Sequence, residues 1–106
     1  MKLKSLQFLI IFSTFFASLH SINEQKIQLF IYKNCPYCQK VIKFLKEIDH
    51  MTDVELVDAS NKNNQKTLQS ISGSSQCPYL VDENNDVAMA ESADIINYLK
   101  KRFKQL

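Results

Sequence analysis

Lys26-Ile27-Gln28-Leu29-Phe30-Ile31-Tyr32, followed at once by Lys33-Asn34-Cys35-Pro36-Tyr37-Cys38, is the stretch that decides the fold. Its first seven residues are rich in strand formers, alternate only in part, and read as a buried strand. Asn34 suits a helix N-cap, and Pro36 sits where a first helical turn tolerates proline. Beyond it Tyr37, Val41, Phe44, Leu45 and Ile48 recur at spacings of three and four, the inner face of a helix. Lys40, Lys43, Lys46 and Glu47 take the wet face. Val54-Glu55-Leu56-Val57-Asp58 reads as a second strand, so the opening is a strand–helix–strand unit of the right-handed parallel kind.

Further along, Asn61 to Ile71 is polar, with Leu68 and Ile71 as its main apolar contacts, and reads as a weak second helix. Gly73, the one glycine of the chain, is placed to stop it. Tyr79-Leu80-Val81-Asp82 and Val87-Ala88-Met89 flank the turn residues Glu83-Asn84-Asn85-Asp86, a hairpin pattern. Ser92 is expected to cap a last helix whose inner stripe is Ile95, Ile96, Leu99 and Phe103 and whose end is basic, Lys100-Lys101-Arg102. The order β-α-β-α-β-β-α predicts an α/β domain, a four-stranded mixed sheet flanked by helices. His50, just past the first helix, is expected to be exposed near its C-terminus.

The start of the chain reads differently. Lys2 and Lys4 precede a charge-free run from Leu6 to Ala17. That is the layout of a secretory signal peptide, and the run is shorter than the roughly 18–20 residues a spanning helix needs. Residues 1–21 are therefore expected to be a signal peptide or an N-terminal anchor, with the domain occupying 22–106. The protein is then exported, to a periplasm, a lumen or the outside, and cytoplasmic only if the signal does not act. A membrane would be met only through the uncleaved segment. Without Lys2 and Lys4, eleven basic residues balance eleven acidic ones, so the formal charge of +2 belongs to the signal. A neutral domain is no electrostatic nucleic-acid binder. A length of 106 residues leaves room for one small domain, expected to act as a monomer, and the presence of only three Gly and Pro residues excludes a disordered linker.

The chemistry-bearing element is Cys35-Pro36-Tyr37-Cys38 at the junction of strand and helix. A helix N-terminus carries about half a positive charge and unpaired N–H groups, and both favour a thiolate. Cys35 is placed to be the attacking sulfur. Cys38, one turn further in, is placed to reach back and resolve a mixed disulfide. A zinc site would need two more ligands, and after His20 leaves with the signal Cys77 and His50 are the only candidates, with none to spare, so no metal is assigned. An inert structural disulfide across four residues constrains little chain entropy. Redox exchange is the reading that uses all the parts.

These residues resemble the glutaredoxin branch of the thioredoxin-like superfamily. Cys35-Pro36-Tyr37-Cys38 is the dithiol sequence common among glutaredoxins, Gln76-Cys77-Pro78-Tyr79-Leu80 is similar to the family's cis-proline loop, and Glu91-Ser92-Ala93-Asp94-Ile95-Ile96-Asn97-Tyr98-Leu99 is similar to an ending shared with the first domain of glutathione S-transferases. The resemblance spans about residues 26 to 103 and implies a thioredoxin-like fold and a thiol–disulfide oxidoreductase with glutathione as co-substrate. It implies that Cys35 is the nucleophile and Cys38 the resolving thiol. It places Tyr37 beside the glutathione sulfur, the main chain of Cys77 before Pro78 against the glutathione backbone, and Glu91 and Ser92 at the γ-glutamyl end. Lys33 would meet the glycine carboxylate, although family members usually carry that lysine one position earlier. Ser92 as a plain helix cap and Tyr37 as plain core are the alternatives at those positions. The partners implied are glutathione and protein disulfides or glutathionylated proteins.

Two features depart from the pattern. The residue before the cis proline is usually Val or Thr in the family, and here it is Cys77. Cys77 is either a compact hydrophobe in their place, a third redox thiol, or a ligand shared with Cys35 for a soft metal or an iron–sulfur cluster. An exported protein also meets an oxidising compartment, which opens a second reading, a disulfide exchanger independent of glutathione.

Overall fold

The computed structural model describes residues 27–104, so the N-terminal segment expected to be a signal or anchor lies outside the described residues. The elements follow the order read from the sequence: β1 (Ile27–Ile31), α1 (Pro36–Glu47), β2 (Val54–Asp58), α2 (Lys62–Ser72), β3 (Tyr79–Asp82), β4 (Val87–Ala90) and α3 (Ser92–Arg102), with short 3₁₀ turns at Met51–Asp53 and Glu83–Asn85. The sheet order is β2-β1-β3-β4. β1 and β2 run parallel from Ile27 opposite Val54 to Ile31 opposite Asp58. β3 lies antiparallel to β1, with Leu29 opposite Leu80 and Phe30 opposite Tyr79, and β4 lies antiparallel to β3. The mixed four-stranded sheet flanked by helices is a thioredoxin-like fold, as expected.

The near-continuous apolar run of β1 has its explanation in the layers. Ile27 and Leu29 join Val41 and Leu45 of α1, Leu80, and Ile95 and Leu99 of α3 in one cluster. Phe30, one residue out of phase, joins Val81, Ala59 and Leu68 of α2 in a second cluster on the other face. A strand covered on both sides has no wet face to alternate with.

Five local expectations are corrected. The cap of α1 is Cys35 rather than Asn34, because the Cys35 sulfur accepts the Cys38 N–H in place of a side-chain oxygen. Tyr37 leaves the apolar stripe of α1 and is 58% exposed. Cys38 takes the inner place in that turn, followed by Val41, Ile42 and Leu45. In α2, Asn61 lies outside the helix as its N-cap, accepting the N–H groups of Asn63 and Asn64, and Gly73 ends it at φ +83°. Ile71 does not pack there. The half-buried stripe of α2 runs Asn64, Gln65, Leu68, Ser72, stepping by four from Leu68 and leaving Ile71 outside. Finally, Ser92 is the first residue of α3, and the cap position belongs to Glu91, whose side chain makes no capping hydrogen bond.

Candidate functional site

The strand register collects the sequence-predicted residues at one end of the sheet. β1 ends beside the end of β2, Ile31 opposite Asp58. β3 begins there, since Tyr79 pairs with Phe30 on one side and with Ala90, the last residue of β4, on the other. The loop Lys33–Cys38 leaving β1, Cys77 and Pro78 entering β3, and Glu91 and Ser92 leaving β4 therefore share that end. Three segments distant in sequence meet because two antiparallel pairings follow one parallel pairing.

Cys35 sits at the cap of α1 with φ −87° and ψ 118°, which turns its carbonyl into the helix, where the Gln39 N–H binds it at 3.0 Å. Its own N–H returns to the Tyr32 carbonyl at 3.2 Å. The Gln39 side chain donates to the Lys33 carbonyl at 3.0 Å and fastens the loop to the helix. The Cys35 sulfur accepts the Cys38 N–H at 3.3 Å, and its S–H faces the Cys77 carbonyl at 3.9 Å. One such bond approaches from the first turn of α1, so the sulfur itself caps the helix.

The two other cysteines have different surroundings. Cys38 is fully buried, and that burial, helped by its hydrogen bond to Cys35, pushes its thiol up to about 12. Burial also pushes the Cys77 thiol up to about 11, with the nearby Cys35 adding to the shift. Both are held protonated at neutral pH. Cys35 is half-buried, and all three cysteines are free thiols. Cys77 also packs against the cluster beneath α2, beside Phe30 and Leu68. The Cys77–Pro78 bond is cis and Pro78 is buried.

Tyr37 lies open between the two cysteines in sequence, with the Lys40 ammonium 5.4 Å over its ring, so it is available to a ligand rather than spent on the core. Lys33 is exposed and close to Asp58. The Asp58 carboxyl is held below the usual carboxylate range first by the Ser60 hydroxyl and N–H, with Lys33 contributing. Its charge therefore already has a neighbour. Glu91 adopts φ +74° and is exposed, and Ser92 is half-buried behind it. A non-glycine residue in that region is strained, and here the strain sits at the junction of β4 and α3. Among the described residues no three His, Cys, Asp or Glu side chains are grouped as a metal site. An ion or cluster on Cys35 and Cys77 would have to draw its other ligands from elsewhere.

Sequence reasoning missed a second polar centre at the opposite end of β3. Asp82 is 1% exposed and accepts hydrogen bonds from the Tyr98 hydroxyl at 2.5 Å, the Asn85 amide at 2.8 Å and the Arg102 Nε at 3.2 Å. Burial pushes its carboxyl up, but these three bonds outweigh it and hold the group below the usual range. The available signal was the spacing of Tyr98 and Arg102, four apart on one helix face. His50 was expected to be exposed, and instead it is part-buried, pairs with Asp53 at 2.7 Å and stacks on Phe103 with ring centroids 4.0 Å apart.

Comparison with known proteins bears on this site. Residues 29–105 match the model of the glutathione S-transferase N-terminal domain. Among solved structures, the chain is similar to glutaredoxin 2 from Salmonella typhimurium, crystallised in complex with glutathione, at 30% identity and a TM-score of 0.55. The match covers 73% of this chain and 34% of that one, so this chain spans about a third of that protein's length. A search of curated proteins found no match. With the fold, the cis-proline loop and the family match in agreement, the chain belongs to the glutathione S-transferase N-terminal domain family, within the thioredoxin-like glutaredoxins and transferases.

Proposed function

We propose that this protein is a glutaredoxin-type thiol–disulfide oxidoreductase that uses glutathione as co-substrate. The observation that carries the reading is the asymmetry of the cysteine pair. Cys35 caps α1 with part of its surface open and an N–H on its sulfur, and Cys38 is sealed behind it. The Cys35 thiolate attacks a glutathionylated disulfide, forms a Cys35–glutathione mixed disulfide and releases the other thiol. A second glutathione then attacks the glutathione sulfur of the mixed disulfide, giving glutathione disulfide and the free Cys35 thiolate. Alternatively Cys38, after losing its proton, attacks the Cys35 sulfur, forms the Cys35–Cys38 disulfide and frees the bound glutathione. Tyr37, the main chain of Cys77 before Pro78, and Glu91 and Ser92 at the α3 N-terminus border the end of the sheet where glutathione would lie, and Lys33 is assigned to its glycine carboxylate.

The test separates the two cysteines. Cys35→Ser removes all reduction of a small glutathione mixed disulfide. Cys38→Ser retains it, because glutathione supplies the second thiol. Equal loss in both variants would contradict the assignment. The basic, apolar N-terminus adds a compartment to the proposal, export to an oxidising space, and cell fractionation with and without residues 1–21 tests it. An unchanged distribution would remove that part.

A further inference from the structure

The one thiol that this mechanism leaves unused belongs to the residue whose carbonyl faces the nucleophile. Cys35 directs its S–H at the Cys77 carbonyl, 3.9 Å away. Covalent geometry then puts the Cys77 Cα no more than roughly 6 Å from the Cys35 sulfur. The two residues are therefore neighbours, and a Cys35–Cys77 linkage requires their side chains to turn toward each other. The packing role of Cys77 does not require sulfur. Phe30, Ala59, Leu68 and Val81 form an apolar cluster that any small aliphatic side chain would complete.

We propose that Cys77 is a second resolving thiol, which attacks the Cys35 sulfur of a Cys35–glutathione mixed disulfide, forms a Cys35–Cys77 disulfide and releases glutathione, in competition with Cys38. The inference rests on the reading of Cys35 as nucleophile. The step balances without a further reactant. Cys77 loses its proton and is oxidised, the Cys35–glutathione bond is broken, and the departing glutathione thiolate takes up the proton. The oxidising equivalents are those of the glutathione disulfide that loaded Cys35.

Two observations favour Cys77 over an inert role. It is part-exposed where Cys38 is fully buried, so it can lose its proton to solvent. Its thiol, at about 11, is also held up less than that of Cys38, at about 12. Part of the rise on both thiols comes from Cys35, and this contribution vanishes for both once the Cys35 sulfur is in a disulfide.

Oxidised glutathione added to the full chain, followed by non-reducing peptide mapping and intact mass, tests the step. Cys38→Ala is expected to carry a Cys35–Cys77 linkage with little glutathione adduct. Cys38→Ala/Cys77→Val is expected to accumulate the adduct on Cys35. A stable adduct on Cys35 in Cys38→Ala, with no Cys35–Cys77 linkage, overturns the proposal and leaves Cys35 as nucleophile. No adduct in the double variant removes the nucleophile reading, and the proposal with it. Should Cys38→Ala not fold, the wild-type chain gives the answer: a mixture of Cys35–Cys38 and Cys35–Cys77 linkages supports the step, and Cys35–Cys38 alone overturns it.

Discussion

Cys35 and Cys38 are the same side chain three residues apart, and the structure gives them opposite surroundings. Local sequence is enough to place them, because a helix that starts at Pro36 puts the first at the cap and the second inside the first turn. The identity of the cap was not legible, since capping preferences count oxygen acceptors and favour Asn34. A sulfur performs that office here, which couples the fold of α1 to the redox state of Cys35. Once the Cys35 sulfur is in a disulfide it is a poorer acceptor, and the Cys38 N–H loses part of its partner. Amide exchange at Cys38 should therefore quicken in the form glutathionylated at Cys35. Equal protection of that amide in both forms would contradict the coupling. Tyr37 was misread for a related reason: helical periodicity assigns a face, and the face at a helix's first turn already belonged to Cys38.

Element boundaries followed from apolar spacing and from Asn61 and Gly73, which mark the two ends of α2. What spacing did not disclose was how the far ends of the elements are joined. Asp82 closes β3, Asn85 belongs to the following turn, and Tyr98 and Arg102 lie on α3, so one carboxylate holds three elements. No periodicity announces such a centre, because its members are polar residues at element ends. Asp82→Asn keeps the shape but loses the charge that three donors share, and is expected to cost about 2 kcal/mol, read by urea denaturation. The sign of the pH effect follows from the lowered carboxyl. Folded Asp82 releases its proton more readily than the unfolded chain, so its contribution is full above the ordinary carboxylate range and is lost as pH falls through the lowered value. Stability should decline less steeply on acidification in Asp82→Asn than in the wild type. Parallel acid profiles would show that the network does not behave as described. At the other cap, Asn61→Ala leaves the Asn63 and Asn64 N–H groups without their acceptor and should destabilise α2 by about 1 kcal/mol.

At the scale of the molecule, three protons among the described residues are held more tightly in the fold than outside it. Burial pushes Cys38 from 9.0 to about 12 and Cys77 from 9.0 to about 11, and burial with the Asp82 hydrogen bond pushes Tyr98 from 10.0 to about 12. Between the unfolded and the folded values the unfolded chain binds fewer protons, so stability falls as pH rises from about 9 toward 12. Cys38→Ala/Cys77→Val should flatten the first part of that decline and leave the part due to Tyr98. An unchanged alkaline profile would mean that the thiols are not buried as described. The sheet order itself was not legible, because strand–helix–strand and a hairpin can be joined on either edge. Once β3 docks beside β1, however, the separated motifs of the sequence come to one end of the sheet without further adjustment.

The central claim is that this end of the sheet performs glutathione-linked exchange through Cys35. The measurement that tests it most directly is coupled reduction of a small glutathione mixed disulfide by the purified full chain, with Cys35→Ser as the blank. The expected result is turnover that depends on glutathione and disappears in the blank. Turnover that survives in Cys35→Ser, or its absence in a wild-type chain whose Cys35–Cys38 disulfide can still be titrated, would contradict the claim. The second of these results would point to a protein-directed exchanger that does not use glutathione.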